Sequence, residues 1–374
     1  MTKFDNIRPY NDSEVHPALE RIVGNPLLVN IANYIFPGGD PEMFKKLLLS
    51  CNSKEDFQVK VMSGVVQKII NDTTAGLSYG GAEHFDGGKK YLIVSNHRDI
   101  VLDSAFIQLI IHKNGIQTTE IAVGDNLITS SFIEDICRCN KMIKVVRSTS
   151  PREVYTTSKI LSEYIRYNVA NQESSIWIAQ RNGRTKDGAD VTEQGLLKMF
   201  DMSGSGDFVK DFTELHILPT SISYEFEPCD ILKAVEIYIS RRQKYVKAEG
   251  EDLKSILTGI MQPKGRVHIQ FNEPVSEQEV LAAAELGKNE RFKALGTCMD
   301  NKIVANYKLW PNNYIAYDLL NSTDVYASEY TQQEKEVFEQ YMAKKMENVE
   351  ADKEELKEIF LSIYANPVVG KRNL

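Results

Sequence analysis

The residues best suited to acid–base work stand together in Val94-Ser95-Asn96-His97-Arg98-Asp99-Ile100-Val101-Leu102-Asp103. An apolar run ends in Asn-His, and carboxylates follow two and six positions after the histidine. An unperturbed imidazole titrates near pH 6.5, so it can accept a proton at neutral pH once an acidic partner fixes its tautomer. His97 with Asp103, or alternatively with Asp99, is therefore a candidate general base. The same residues also describe a structural histidine ahead of a helix capped by Asp99, and the local pattern leaves both readings open. A second group, Gln180-Arg181-Asn182-Gly183-Arg184-Thr185-Lys186-Asp187-Gly188, holds three cations and two glycines. Guanidinium groups grip phosphate oxygens in pairs and glycine lets backbone amides come close, so this segment suits a phosphate. A solvated surface loop is the plainer reading of it. Lys141, Lys144 and Arg147 add positive charge a short way upstream.

The surrounding pattern says what must position these groups. Strands are expected at Tyr91–Ser95, Thr119–Val123, Met142–Val146, Ser174–Ala179, Leu215–Tyr224 and Arg266–Phe271. Helical stretches, about Ile100–His112, Ser131–Cys139, Pro151–Ala170 and Glu193–Met202, separate most of them. Short apolar strands alternating with helices predict an α/β fold with a mainly parallel, mixed sheet covered by helices. Ligands gather at the carboxyl ends of such strands, where His97 stands. Ser150-Pro151-Arg152-Glu153 and Ser276-Glu277-Gln278-Glu279 read as capping boxes, and the rest of the chain, including Thr331-Gln332-Gln333-Glu334, reads as helical. Residues 1–75 read as a helical N-terminal region, 76–275 as the α/β core and 276–374 as a helical C-terminal region. In the first of these, Asp40-Pro41 and Ser53-Lys54-Glu55-Asp56 signal helix starts, and Phe57, Val61 and Val65 with Met62, Val66, Ile69 and Ile70 form one apolar stripe. The stripe faces either the core or a membrane.

The chain has 374 residues, 42% hydrophobic and 26% charged, with a net charge of −8. This is the composition of a globular protein and excludes collagen-like and disordered classes. From Ile136 to Lys198 eleven Lys/Arg face six Asp/Glu, a local +5 in an acidic chain. That distribution argues against nucleic acid and for a small anionic substrate. No apolar run approaches the roughly 20 residues of a membrane span, and no signal peptide is readable. Five scattered cysteines fit a reducing, cytoplasmic compartment. Cys137 and Cys139 are too close for the usual zinc pairs, so no metal is expected.

Four blocks in order bring a resemblance. Asn96-His97-Arg98 through Asp103, Lys144-Val145-Val146-Arg147-Ser148, Asn182-Gly183-Arg184-Thr185 and Ile217-Leu218-Pro219-Thr220-Ser221-Ile222-Ser223-Tyr224 resemble the conserved blocks of the glycerophospholipid acyltransferase superfamily. Its members include glycerol-3-phosphate and 1-acylglycerol-3-phosphate acyltransferases. The resemblance implies a transferase of phospholipid synthesis that carries a fatty acyl group from acyl-CoA or acyl-carrier protein to a substrate hydroxyl. It implies His97 and Asp103 as catalytic residues, Arg147, Arg181, Gly183 and Arg184 at the substrate phosphate, and Asn96 and Pro219 at the acyl or acceptor pocket. It also implies no cofactor, glycerol phosphate or a lysophospholipid as acceptor, and peripheral attachment to the inner membrane face from the cytoplasm. Ile121-Ala122-Val123-Gly124-Asp125-Asn126-Leu127 is similar to a linking loop of the glycerol-3-phosphate branch.

Two departures stand out. The family places its aspartate five residues after the histidine; here Leu102 holds that position and Asp103 comes one later. Many relatives carry glutamate where this chain has Asn182. These departures motivate a different reading, a non-catalytic lipid- or partner-binding protein on the same fold. A further one, a serine hydrolase using Ser78 of Gly76-Leu77-Ser78-Tyr79-Gly80, needs a strand before the serine and a helix after it. The expected helix before it and strand material after it do not supply that.

Overall fold

The computed structural model describes residues 2–86, 88–288 and 290–374. Seven strands form one sheet: β1 (Thr74–Gly80), β2 (Leu92–Ser95), β3 (Glu120–Gly124), β4 (Met142–Val145), β5 (Ile176–Ala179), β6 (Ile217–Tyr224) and β7 (Gly265–Phe271). Their order is β1-β7-β6-β2-β5-β3-β4, and every neighbouring pair is parallel except β6 with β7. The expected α/β fold, a mainly parallel mixed sheet covered by helices, is what forms. Helices lie before β1 and after β7. The helices Ser131–Cys139 and Pro151–Ala170 stand at the predicted residues.

β2 lies at the centre, flanked by β5 and β6, and all four of its side chains are buried. Alternation sends Leu92 and Val94 into one core, with Ile165, Phe200 and Phe212, and Ile93 into the other, with Phe106, Ile107 and Trp177. Both faces are dry, which is why this strand reads as an unbroken apolar run. Pro219 is tolerated in the equally central β6 because it lies one residue beyond the last β6–β7 pair, Thr220↔Phe271. Only its carbonyl is used there, accepting from Asn272 N.

Several expectations are corrected. β1 is an edge strand that the sequence reading does not foresee, because Gly76 and Gly80 resemble a turn and β7 supplies its pairing. Ser53 caps Asp56 N as expected, but the helix it starts soon widens into a π-helical segment over Phe57–Met62. The extra residue per turn rotates the apolar stripe. Phe57 and Val61 join the N-terminal helical core, whereas Val66 and Ile70 pack beneath the sheet. Ser150 makes no side-chain cap, since Glu153 takes its hydrogen bond from the Ser148 hydroxyl instead. The box at Ser276 forms in full, and a second, which the sequence reading does not single out, forms at Thr331. Two helices between β6 and β7, Asp230–Ser240 and Glu251–Met261, begin at Cys229 and Gly250, both left-handed and without a side-chain cap. No start signal in the sequence announces them. Among the described residues no helix is long and apolar enough to cross a membrane.

Candidate active site

At the carboxyl end of β2 the chain turns over residues 96–101 before the helix Leu102–Lys113 begins. His97 Nδ1 lies 2.9 Å from Asp103 Oδ2. The same oxygen accepts from the backbone N–H groups of Arg98 at 2.6 Å and Asp99 at 2.9 Å. Its partner oxygen, Oδ1, accepts from the Tyr224 hydroxyl at 2.8 Å. Three donors besides the histidine therefore fix a carboxylate that is fully buried, and each stabilises its charged form. An ionised carboxylate only accepts, so the contact assigns the proton to Nδ1 and leaves the Nε2 lone pair free. Nε2 has no hydrogen-bond partner among the described residues, and the imidazole is 13% exposed. Trp177 stands edge-on to the ring at 5.8 Å.

The extra residue between histidine and aspartate is absorbed in this turn. Asp99 does not touch the imidazole. Its Oδ1 accepts from Val101 N at 2.9 Å and Leu102 N at 2.8 Å, capping the helix start, and its Oδ2 has no partner among the described residues. Burial, reinforced by the charge of Asp103, pushes the Asp99 pKa up.

The cations approach from neighbouring strand ends. Arg147, exposed after β4, lays its guanidinium over Gly124, where a Cβ would come within 2.8 Å of Nε. Glycine at the end of β3 is what admits it. Arg181 Nε and Arg184 Nη1 are buried donors that no group among the described residues takes up. Between these residues Gly183 has φ +77°, the left-handed backbone that the turn requires. Against its burial, hydrogen bonds from Lys247 and Asn126 lower the pKa of Asp252, with a smaller contribution from the Arg184 charge; its Oδ2 accepts from Asn126 Nδ2 at 2.9 Å, and Asn126 borders Arg147 above Gly124. Arg147 thus stands beside Asn126 and Asp252, and the charge of Arg184 reaches Asp252.

Residues 76–223 match the family model described as Acyltransferase. This segment contains the first three sequence blocks whole and the fourth as far as Ser223. That stretch of the chain is similar to the acyltransferase family. Among solved structures, the 1-acyl-sn-glycerophosphate (LPA) acyltransferase PlsC from Thermotoga maritima matches with 13% identity and a TM-score of 0.39, over 77% of this chain and 94% of that one. No curated protein matches the chain in sequence.

Other parts of the chain hold this site in shape. Asp190, which sequence reasoning missed, joins both neighbours of the histidine. Its Oδ2 accepts from Asn96 Nδ2 at 2.9 Å and Arg98 Nη2 at 2.6 Å. Its Oδ1 accepts from the Thr185 hydroxyl at 2.8 Å, and Thr185 N donates to the His97 carbonyl at 2.7 Å. Asn96 also exchanges hydrogen bonds with the backbone of Ile222, so this fully buried side chain presents no polar atom to a pocket. Pro219 is likewise buried inside β6. Arg98 lies between Asp190 and Glu227, and Lys233 donates to both Glu227 and the Arg98 carbonyl.

A cleft opens between the helix Leu102–Lys113 and the 57–66 segment. Val59, Met62, Val66, Val101, Ala105 and Leu109 make it mainly apolar, and Ser104 on its wall follows Asp103 directly. Ser78 lies mid-strand on β1, 2.9 Å from His268 Nδ1, and donates to the Val267 carbonyl. It sits on no strand-to-helix elbow.

Proposed function

We propose that this acyltransferase carries a fatty acyl group from acyl-CoA or acyl-carrier protein to a hydroxyl of glycerol-3-phosphate or 1-acylglycerol-3-phosphate, with His97 as general base. The observation that carries the reading is the 2.9 Å contact of His97 Nδ1 with a buried, multiply anchored Asp103, leaving Nε2 free. Nε2 takes the proton of the acceptor hydroxyl as its oxygen attacks the thioester carbonyl carbon. The tetrahedral intermediate then expels the thiolate, breaking the C–S bond, and the imidazolium returns the proton to sulfur. Asp103 holds the tautomer and balances the imidazolium charge, the part an aspartate plays in serine-protease triads. General-base help of this kind contributes about 10²–10⁴-fold. The substrate hydroxyl is the nucleophile, so the scheme requires neither an enzyme nucleophile nor a cofactor or metal.

Arg147 and Arg184, with Arg181 and Gly183, bind the acceptor phosphate in this reading. The unsatisfied Nε of Arg181 and Nη1 of Arg184 support that role. Holding the phosphate positions the hydroxyl beside Nε2. The apolar cleft beside Ser104 suits the acyl chain. Because the product is a lipid, the enzyme works as a peripheral protein on the inner face of the membrane, from the cytoplasm. The exposed Leu27, Val29, Phe36 and Met43 of the N-terminal helical region support such contact.

The test is acyl transfer from radiolabelled palmitoyl-CoA and palmitoyl-carrier protein, with each acceptor offered separately. Transfer to one acceptor that is abolished in His97→Ala is the expected result. A fully active His97→Ala would remove the base, and no transfer from any pairing would remove the reaction.

A further inference from the structure

The helix Glu251–Met261 has two unlike faces. Inward, Asp252 accepts from Asn126 and the Ser255 carbonyl accepts from the Cys229 thiol. Gly259 is pressed against Asp99, where any Cβ would collide with Oδ2. Outward, Leu253, Leu257 and Met261 repeat every four residues and are 59%, 39% and 53% exposed. Residues at that spacing share one side of a helix, so the three make a continuous apolar stripe in water. Val246, in the loop just before, is 78% exposed. Isolated exposed apolar side chains are ordinary, whereas a stripe of this kind marks a surface that something covers.

The charges around the stripe indicate what covers it. Residues 241–254 hold five cations, Arg241, Arg242, Lys244, Lys247 and Lys254, against three carboxylates, in a chain of net charge −8. Arg241 and Arg242 pair with Glu355, and Lys247 with Asp252. Lys244 and Lys254 are exposed and have no ion pair among the described residues. An apolar stripe edged by free lysines is the pattern of a helix that lies in a lipid interface. A second copy of the chain fits less well, since one face of an eleven-residue helix falls short of the roughly 800 Å² per partner that a stable dimer buries.

We propose that the helix Glu251–Met261 and the loop before it dock on an anionic bilayer, with Leu253, Leu257 and Met261 entering the interface and Lys244 and Lys254 meeting lipid phosphates. This rests on the acyltransferase reading only for the identity of the surface as lipid. The same helix covers Asp99 and reaches Asn126, the neighbour of Arg147. Docking there sets the phosphate-binding side of the site against the membrane that supplies or receives its lipid. The underside is suited to movement, because Asp99 Oδ2 lies unsatisfied beneath Gly259 and gains solvation whenever the helix lifts.

The full chain is tested by flotation with vesicles of phosphatidylcholine, alone and mixed with phosphatidylglycerol. Wild type is compared with Leu253→Gln/Leu257→Gln/Met261→Gln, with Lys244→Glu/Lys254→Glu and with Met43→Gln in the N-terminal region. The substituted side chains are exposed, so circular dichroism is expected to stay unchanged. The triple variant is expected to lose vesicle affinity by about tenfold or more, and the double variant to lose the preference for anionic vesicles. Wild-type affinity in the triple variant, or no binding of wild type to either vesicle, overturns the proposal. So does a wild-type dimer that the triple variant dissolves while vesicle binding persists. Transfer to glycerol-3-phosphate and to 1-acylglycerol-3-phosphate in detergent micelles, from either donor, is measured beside it. Its absence in wild type with every pairing defeats the acyl-transfer reading and leaves the vesicle comparison to decide this one.

Discussion

The Tyr224 hydroxyl, at the end of β6, donates to Oδ1 of Asp103 at 2.8 Å while His97 occupies Oδ2 at 2.9 Å. The two oxygens of one carboxylate thus divide between an orienting donor and the imidazole. Tyr224 is completely buried, and burial beside Asp103 holds its phenol well above the usual range, so it stays a donor at any working pH. Tyr224→Phe removes that donor at nearly constant shape. The expected result is a fall in kcat of about tenfold with KM little changed, because a hydrogen bond to a charged group contributes about 1.5–3 kcal/mol. Steady-state kinetics check it, and an unchanged kcat would show that Asp103 is positioned without Tyr224.

The two aspartates near His97 are expected to separate cleanly. Asp103→Asn keeps the shape but no longer fixes the imidazole tautomer or its charge, and kcat falls by about 10²–10⁴-fold. Asp99→Asn keeps a good cap and removes a carboxylate that burial disfavours, so its activity is expected within about threefold of wild type and its urea midpoint unchanged or higher. Parallel assays of the two variants decide the assignment. Equal losses would mean that Asp99 does more than cap.

Asp190 is the point where three segments around the histidine meet. Asp190→Ala strips Arg98 of its closest buried partner and frees Asn96 and Thr185 together. Removing one member of a buried ion pair costs about 3–5 kcal/mol, and denaturant unfolding measures it. Asp190→Asn retains an acceptor for Thr185 or Asn96 and should recover part of that loss. A loss under about 1 kcal/mol in the alanine variant would contradict the clamp, since that is what a surface pair yields.

The legible part of this fold was the part written in short-range pattern. β2 to β7 appeared as apolar runs, and the His97–Asp103 pair appeared because six residues of one turn bring them together. Tyr224 and Asp190 stayed invisible because their partners are 121 and 94 residues away in sequence, where only the closed sheet brings them near. Asn96 shows the converse. Its place in the first block suggested a pocket, yet its amide closes β2 against β6. β1 was hidden by its glycines, and the π-helical segment at Phe57–Met62 turned one apolar stripe into contacts with two cores.

Asp300 gives a pH signature. Burial raises its pKa from 3.8 to about 6, against the opposing hydrogen bonds from Thr192 N and Oγ1. A carboxyl with a higher pKa in the folded chain than in the unfolded one stays protonated in the fold while the open chain has already released its proton. Across about pH 4 to 6 the folded state therefore binds more protons, and stability falls as pH rises through that window before levelling above it. The size of the effect at pH 7 is on the order of 2–3 kcal/mol. Asp300→Asn keeps a carbonyl oxygen for Thr192 and cannot ionise, so it is expected to flatten that slope and raise the urea midpoint at pH 7 while leaving it nearly unchanged at pH 4. Urea titrations of both chains at pH 4, 5, 6 and 7 measure the difference. Parallel curves at all four would mean that Asp300 titrates alike in the folded and unfolded chains.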